Sequence, residues 1–387
     1  MVLEDVCELI ADCPHTTAPD EGKGYPLIRT PNVGKGRLLL EGVHRVSKDI
    51  YDKRNMRAIP KKDDIIFARE APAGNVALIR EGQEVCLGQR TVLIRPDCEK
   101  VFPEYLVYYL LAPEQQYKLL GTANGATVAH VNLPVIRKMP IELPDIDVQQ
   151  KIAGYISIYD DLIENNQRQI KLLEEAAQRL YKEWFVDLRF PGYEDCKIVD
   201  GVPVEWKKKK LDEIADVIMG QSPKSEFYNK EHKGLPFHQG VGSYGARFVQ
   251  DDTYSTSFTK VAEANSILFS VRAPVGRLNI TKNKIVIGRG IAAINSKSGF
   301  QSYLFYALKE RFFKDDILGN GAIFASISKN ELLNQVFVIP DEKIMSAYEK
   351  IAAALDKKIE VVDMQLQQLV EARDRLLPKL MNGEIEV

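Results

Sequence analysis

The chain repeats itself at half its length, and that repeat limits its architecture more than any other feature. FAREAPAGNVAL at Phe67–Leu78 and FSVRAPVGRLNI at Phe269–Ile280 share a Phe, an Ala-Pro pair and a Gly at equal offsets. Other pairs follow in the same order. LEDVCELI at Leu3–Ile10 parallels LDEIADVI at Leu211–Ile218, and YPLIR at Tyr25–Arg29 parallels LPFHQ at Leu235–Gln239. LGQR at Leu87–Arg90 parallels IGRG at Ile287–Gly290, and PEYLVYYLL at Pro103–Leu111 parallels QSYLFYALK at Gln301–Lys309. NGAT at Asn124–Thr127 parallels NGAI at Asn320–Ile323, and IELP at Ile141–Pro144 parallels FVIP at Phe337–Pro340. A period near 200 residues is too long for a solenoid and means a duplicated domain.

Within each copy, local chemistry sets the elements. DDIIFAREAPAGNVALI gives two β-rich runs broken at Ala-Pro-Ala-Gly, where Pro cannot donate to a ladder and Gly accepts φ > 0. EYLVYYLLAPEQQYKLLG gives a helix interrupted at Pro113 and stopped by Gly121. Each copy is therefore a mixed α/β or α+β globule, and Phe67, Phe269 and the Tyr-rich helices are read as core.

After Pro144 and again after Pro340 comes Asp, a helix N-cap residue (Asp145, Asp341), and then a stretch rich in Gln, Glu, Lys, Leu and Ala. Steps of four and three select Tyr159, Ile163, Asn166, Ile170, Leu173, Ala177 and Leu180 in the first copy. In the second they select Leu355, Ile359, Val362, Leu366, Leu369, Arg373 and Leu376. Each differs from its mate by 196 positions, as Pro144 does from Pro340. This is heptad spacing, so these residues are expected to pair two helices as a coiled coil, with Asn166 and Arg373 as polar seam positions that fix register. A helix over about 146–184 is on the order of 55 Å long. Along a duplex that corresponds to roughly 16 base pairs.

Composition is that of an ordinary globular protein, 45% hydrophobic and 27% charged. There is no apolar run of bilayer length, and MVLEDVCELIADC has acids where a signal peptide would be basic. The five scattered cysteines make no CxxC pair and fit reduced thiols in a cytoplasm. The net charge is −2, but residues 21–62 hold eleven Lys/Arg against four acids, while residues 142–185 hold nine acids against five bases. A local basic surface can thus coexist with a neutral total.

Catalytic patterns are missing from the sequence: no GxxxxGK[ST] loop, since GVGSYGAR at Gly240–Arg247 lacks the Lys, no GxGxxG expected after a strand, no GxSxG or HExxH, no Asn/Asp-Pro-Pro-aromatic tetrapeptide and no metal spacing among the five His. PDEK at Pro340–Lys343 is a helix cap and not a nuclease motif. What remains is binding chemistry in polar loops. RTPNVGKGRL at Arg29–Leu38 and HQGVGSYGARF at His238–Phe248 mix Gly with side chains that read base edges. The DNA-binding candidates are Arg29, Asn32, Lys35, Arg37, Arg69, Arg90, Thr127, His130 and Asn132 in the first copy. In the second they are His238, Gln239, Arg247, Arg272, Arg289, Ser326, Ser328 and Lys329. No metal site and no catalytic residue is expected.

The order domain–helix–domain–helix, together with several strings, resembles the specificity subunit of type I restriction–modification systems. The strings are Phe67–Gly74, Phe269–Gly276, QQKIA at Gln149–Ala153, QRLYKEWF at Gln178–Phe185, PVEW at Pro203–Trp206 and LLPKLMNGEI at Leu376–Ile385. The resemblance spans essentially the whole chain, and the last string is its most specific part. It implies an α+β fold with a pseudo-twofold internal repeat. Target-recognition domains at 1–145 and 188–340 would alternate with long antiparallel spacer helices at 146–187 and 341–387. It further implies a cytoplasmic, non-catalytic subunit that reads a bipartite site in double-stranded DNA. Partners would be modification (methyltransferase) and restriction (translocase-nuclease) subunits, with S-adenosylmethionine, ATP and Mg held by those partners only. No membrane contact is implied, and a homodimer is open to the isolated chain. From the residues alone, a coiled-coil scaffold that binds only protein and a stand-alone DNA-modifying enzyme stay open as alternatives.

Overall fold

The apolar runs Ile65–Ala68 and Ile291–Ile294 are continuous and not alternating, which places their strands between two apolar layers. A computed structural model, which describes residues 1–121, 130–312 and 326–387, shows those layers. The NGAT and NGAI strings and Thr127 lie outside the described residues. Contacts divide the chain into two units, Met1–Asn166 with Met364–Val387, and Gln167–Asp363.

In the first unit, strands β1 (Cys7–Asp12), β2 (Tyr25–Ile28), β3 (Gly36–Arg37), β4 (Arg45–Val46), β5 (Ile65–Ala68), β6 (Val76–Leu78), β7 (Cys86–Leu87) and β8 (Thr91–Pro96) form two sheets. Their orders are β1-β8-β5-β6-β3 and β4-β2-β7, with β2 and β7 parallel. Helix α1 (Lys48–Arg54) links β4 towards β5, and α2 (Pro103–Leu111) and α3 (Pro113–Gly121) break at the expected proline. α4 (Leu133–Arg137) follows, then the long α5 (Ile146–Tyr181). Ile65, Phe67, Val92 and Ile94 point to a core shared with Tyr105, Leu106, Leu110, Ile152 and Ile156. The intervening Ile66, Ala68 and Leu93 point to a second core with Ile28, Ile79 and Leu87. Burying a side chain such as Phe67 completely stabilises by roughly 1.5–3 kcal/mol. Leu377 and Leu380 of the C-terminal helix join the first core, so here the start of α5 and the end of that helix run antiparallel.

The second unit repeats the plan. Short strands β9 (Ile198–Val199) and β10 (Val202–Pro203) form a hairpin, and β11 (Lys207–Lys210) leads into α6 (Leu211–Ile214). Strands β12 (Ala215–Met219), β13 (Tyr228–Asn229), β14 (Leu235–His238), β15 (Tyr254–Ser255), β16 (Val261–Ala262), β17 (Ile267–Ser270), β18 (Leu278–Ile280), β19 (Ile285–Ile287) and β20 (Ile291–Ser296) follow. Their sheets run β12-β20-β17-β18 and β13-β15-β14-β19-β16, with β14 and β19 parallel as β2 and β7 are. Then come α7 (Gln301–Phe312), α8 (Lys329–Leu333), β21 (Val336–Ile339), which pairs with β11, and the long α9 (Glu342–Met381). Here the end of α5, the helical turn that follows it (Lys182–Val186) and the start of α9 carry an aromatic cluster of Tyr181, Trp184, Phe185 and Tyr348, packed on Tyr303 and Trp206. The first unit fills the matching place with Leu377 and Leu380.

The seam residues Ile163, Asn166, Ile170, Ala177, Ile359 and Val362 are buried, and Tyr159, Leu173, Leu180, Leu355, Leu366, Leu369, Arg373 and Leu376 are half-buried. Asp341 accepts the Ile344 amide at the start of α9, as a cap should.

Candidate nucleic-acid interface

In each unit the loops after β1/β12, after β2/β14 and after β7/β19, the turn after β5/β17 and the residue before α4/α8 meet along one edge. Backbone bonds tie them together. Gly88 N donates to Ile28 O at 2.7 Å and Gly288 N to His238 O at 2.8 Å. Arg69 N reaches Arg90 O and Val271 N reaches Gly290 O, both at 2.9 Å. Val131 N donates to Arg69 O at 3.0 Å and Ile327 N to Val271 O at 2.9 Å. Gly88 and Gly288 permit this approach. A Cβ at Gly88 would stand 2.7 Å from Ile28 O, and one at Gly288 would stand 2.9 Å from the Gln239 Cα. Both Ala-Pro bonds on this edge are cis.

The two edges carry different chemistry. In the first unit Arg69 is buried. Its Nε donates to Val131 O at 2.9 Å, its Nη1 meets the Asp12 carboxylate at 3.2 Å, and its Nη2 donates to His130 Nε2 at 3.0 Å. His130 Nδ1 then donates to Glu70 at 2.5 Å, and Glu70 also holds the guanidinium of Arg90. Acids and bases alternate in a closed network. In the second unit the residues equivalent to Asp12, Arg69 and Glu70 are Met219, Val271 and Arg272. Arg272 and Arg289 are exposed and form no ion pair with another described residue, and Gln239 is exposed beside them. Ser326 bridges to Arg272 through backbone, and Ser222 Oγ accepts the Arg289 amide at 3.3 Å.

The remaining candidates divide between surface and scaffold. Lys35, Asn132 and Lys329 are exposed. Asn132 and Ser328 occupy the N-cap positions of α4 and α8, and Ser328 closes a capping box with Glu331. Arg29 is half-buried, and its backbone amide donates to the buried Asn32 side chain at 3.1 Å. Four residues with base-reading chemistry are turned inward. Asn32 also donates to Leu39 O. His238 is held by Ser243 at 2.8 Å and Asp251 at 2.9 Å. Arg37 pairs with Asp161, at 2.5 Å, and with Glu164 on α5. Arg247, only 3% exposed, meets Asp356 of α9 at 2.5 Å and stacks on Phe305 at 3.7 Å. These side chains build the loops.

Arg247 belongs to a repeated buried device. Asp160 on α5 accepts from Tyr108 of α2 at 2.8 Å, and Asp356 on α9 accepts from Tyr306 of α7 at 3.0 Å. Each Asp also takes an arginine, but from a different element. Asp160 takes Arg373 of α9 at 2.9 Å, whereas Asp356 takes Arg247 of the loop. The position matching Arg373 in the second unit is Ala177, fully buried. The loop turns superpose through Gly34 N to Arg37 O and Gly245 N to Phe248 O, so the position matching Arg247 is Gly36. A Cβ at Gly36 would lie 3.5 Å from Asp160 Oδ2, beside the same carboxylate.

The sequence reading did not select Gln89, Gln221, Ser222 and Lys260, which lie on or beside these edges and are at least partly exposed. Only the offset between repeats could have found them: Gln89 is the mate of Arg289. Among the described residues no group of His, Cys, Asp and Glu could hold a metal, and all five cysteines are unpaired. No helix among the described residues is long and apolar enough to cross a membrane.

A duplicated α+β unit with a long helix in each repeat defines a class, and comparison with known families names it. The type I restriction modification DNA specificity domain matches residues 1–175 and again 203–372, so the chain belongs to that family, whose members are non-catalytic specificity subunits. It is 30% identical over 395 residues to the chain described as the MjaX type I restriction enzyme specificity subunit of Methanocaldococcus jannaschii, covering 100% of this chain and 93% of that one. It is 23% identical over 402 residues to the HindI specificity subunit of Haemophilus influenzae, covering 84% and 87%. The crystal structure of a type I restriction–modification S subunit from M. genitalium shares the fold, with a TM-score of 0.61 at 17% identity over 98% of this chain and 95% of that one.

Proposed function

We propose that this specificity subunit reads a bipartite site in double-stranded DNA, one half-site per unit, through the loop edge repeated in each. The observation that carries this reading is the pairing of a constant frame with variable edge chemistry. The same backbone bonds hold both edges, while an Asp–Arg–His–Glu network in one is replaced by exposed arginines and Gln239 in the other. Constant frame and different side chains suit two readers of two different sequences. Of the candidates, Lys35, Arg90, Asn132, Gln239, Arg272, Arg289, Ser326 and Lys329 carry the exposed contacts, with exposed arginines supplying both phosphate neutralisation and bidentate reading of guanine. Asn32, Arg37, Arg69, His238 and Arg247 position the loops.

In this reading the long helices set the gap between half-sites and dock modification subunits, with a restriction subunit joining the same assembly. S-adenosylmethionine, ATP and Mg belong to those partners. The test is methylome sequencing of a host expressing this chain with its modification subunit, against a host lacking the chain. A new bipartite methylated motif with a fixed gap is the expected result. An assembled complex that leaves no new motif would refute DNA reading and favour a protein-binding scaffold.

A further inference from the structure

The segments that lead into β5 and β17 are the least alike parts of the two units. Eighteen residues (47–64) separate β4 from β5, including helix α1, whereas eleven (256–266) separate β15 from β17. The first exposes two large apolar side chains, Met56 and Ile59, and the second exposes Phe258; of these, Met56 and Phe258 share one offset, nine positions before the strand. Met56 is 82% exposed and Phe258 is 53% exposed.

Neither residue is a loose loop tip. Arg54, two residues before Met56, is buried and donates to Leu87 O at 2.6 Å, Thr16 O at 3.0 Å and Pro14 O at 3.2 Å. Arg57, on its other side, donates to Asp12 O at 3.1 Å. In the second unit Thr259, next to Phe258, donates through Oγ1 to Gln221 O, and Ile287 N donates to Lys260 O at 2.9 Å. Both segments are thus pinned to the same two places, the loop after β1 or β12 and the strand β7 or β19. Those loops form the edge that carries Arg90 in one unit and Arg289 in the other. Each apolar side chain thus stands on a fixed mount, and its exposed cationic neighbours (Arg57 in one copy, Lys260 in the other) suit an anionic partner.

Resting on the DNA reading above, we propose that Met56 and Phe258 are wedge residues. Each inserts between two bases of the half-site its unit reads, unstacking that step while the neighbouring cations hold the phosphates. Apolar side chains on a cationic mount are used in this way by proteins that kink a duplex. Two unlike segments of different length set an exposed apolar side chain at the same offset and on the same two anchor points because the deformation, not the sequence, is what both units need. The wedge gives each unit sensitivity to how easily its step opens, including at bases it does not hydrogen-bond.

The experiment uses the full chain with its modification subunit and a duplex bearing the site, with 2-aminopurine stepped through one half-site at a time. Binding of the wild type should raise fluorescence at one step in each half. Met56→Ala should abolish the rise in one half only, and Phe258→Ala in the other. Each should weaken binding about tenfold, with an unchanged slope of log K against log salt because no counterion contact is lost. Met56→Leu should restore the signal and Met56→Gln should not. Site-specific binding by the wild type with no unstacked base, or Ala variants within about twofold of it in affinity, would overturn the wedge and leave DNA reading intact. Absence of salt-dependent binding by the assembled wild type would overturn DNA reading, and the wedge with it.

Discussion

Replacing Arg373 by Met should destabilise the first unit by about 3 kcal/mol, because it strands a buried carboxylate. The Asp160 side chain is 7% exposed and that of Arg373 is 17% exposed. Loss of one partner from a buried pair costs roughly 3–5 kcal/mol. Two features hold the figure at the lower end. Tyr108 continues to donate to Asp160 Oδ2 at 2.8 Å, and the second partner of Arg373, Asp374, is largely exposed, so that bond contributes little. The double variant Asp160→Asn, Arg373→Met removes the charge as well as its partner. It should cost about 1 kcal/mol, about 2 kcal/mol less than Arg373→Met alone, and therefore less than the sum of the two single variants. The assay is urea unfolding with two separate probes. Hydrogen exchange of the α2 amides follows the first unit, while both tryptophans, Trp184 and Trp206, lie in the second and report it by fluorescence. The α2 amides should lose protection at lower urea in the single variant, with the fluorescence midpoint little changed. A double variant as unstable as the sum of the two single ones would refute the argument, since Asp160 would then need no counter-ion.

Four further outcomes follow from the same geometry. Arg69→Met, which breaks the Asp12–Arg69–His130 contacts, should lower the urea stability of the first unit by about 2–3 kcal/mol. Arg272→Ala and Arg289→Ala should instead leave stability unchanged and each reduce the salt slope of DNA binding by about 0.9, measured by titration at several salt concentrations. Gln149 accepts the Phe102 amide ahead of α2, and Glu349 accepts the Ser302 and Tyr303 amides at the start of α7, so Gln149→Ala and Glu349→Ala should each cost about 1 kcal/mol in urea unfolding. Burial pushes the Glu174 carboxyl up, against the pull of Arg247 and Lys309 and with Asp356 adding to the rise. A raised folded value means that its stabilising contribution is full below the unfolded value and is lost as pH rises through the folded one. Glu174→Gln should therefore flatten the fall in unfolding midpoint as pH rises above about 4.5, and an unaltered profile would show that this carboxyl is not the source.

The architecture was legible because periodicity records which side of an element faces inward. Heptad spacing marks Ile163, Ile170, Ile359 and Val362, all buried, and the proline after Leu111 marks the break between α2 and α3. The chemistry of the edge was less legible, because sequence names a side chain without its partner. Arg247 and Asp356 are 109 residues apart, and Arg37 and Asp161 are 124 apart, so a loop arginine that reads as a DNA contact proves to be bound internally. Arg373 illustrates the converse. As a polar interruption of the seam it weakens the pattern, whereas in the fold it neutralises Asp160. Met56 and Phe258 carry no signal in the sequence, and only their exposure separates them from Phe67 and Phe269, which are fully buried.

The exchanged arginine limits how freely the two modules can be shuffled. A second-unit domain grafted into the first place would bring Arg247 to an Asp160 already matched by Arg373, setting two guanidiniums on one carboxylate. A first-unit domain grafted into the second place would offer Gly36 and face Ala177, leaving Asp356 with a tyrosine hydroxyl and no cation. Grafts between equivalent places keep the charge balanced, whereas grafts between opposite places need a compensating change at position 177 or 373. Recombination among such genes would therefore favour exchange of like with like, so that each position in the chain draws on its own pool of recognition modules.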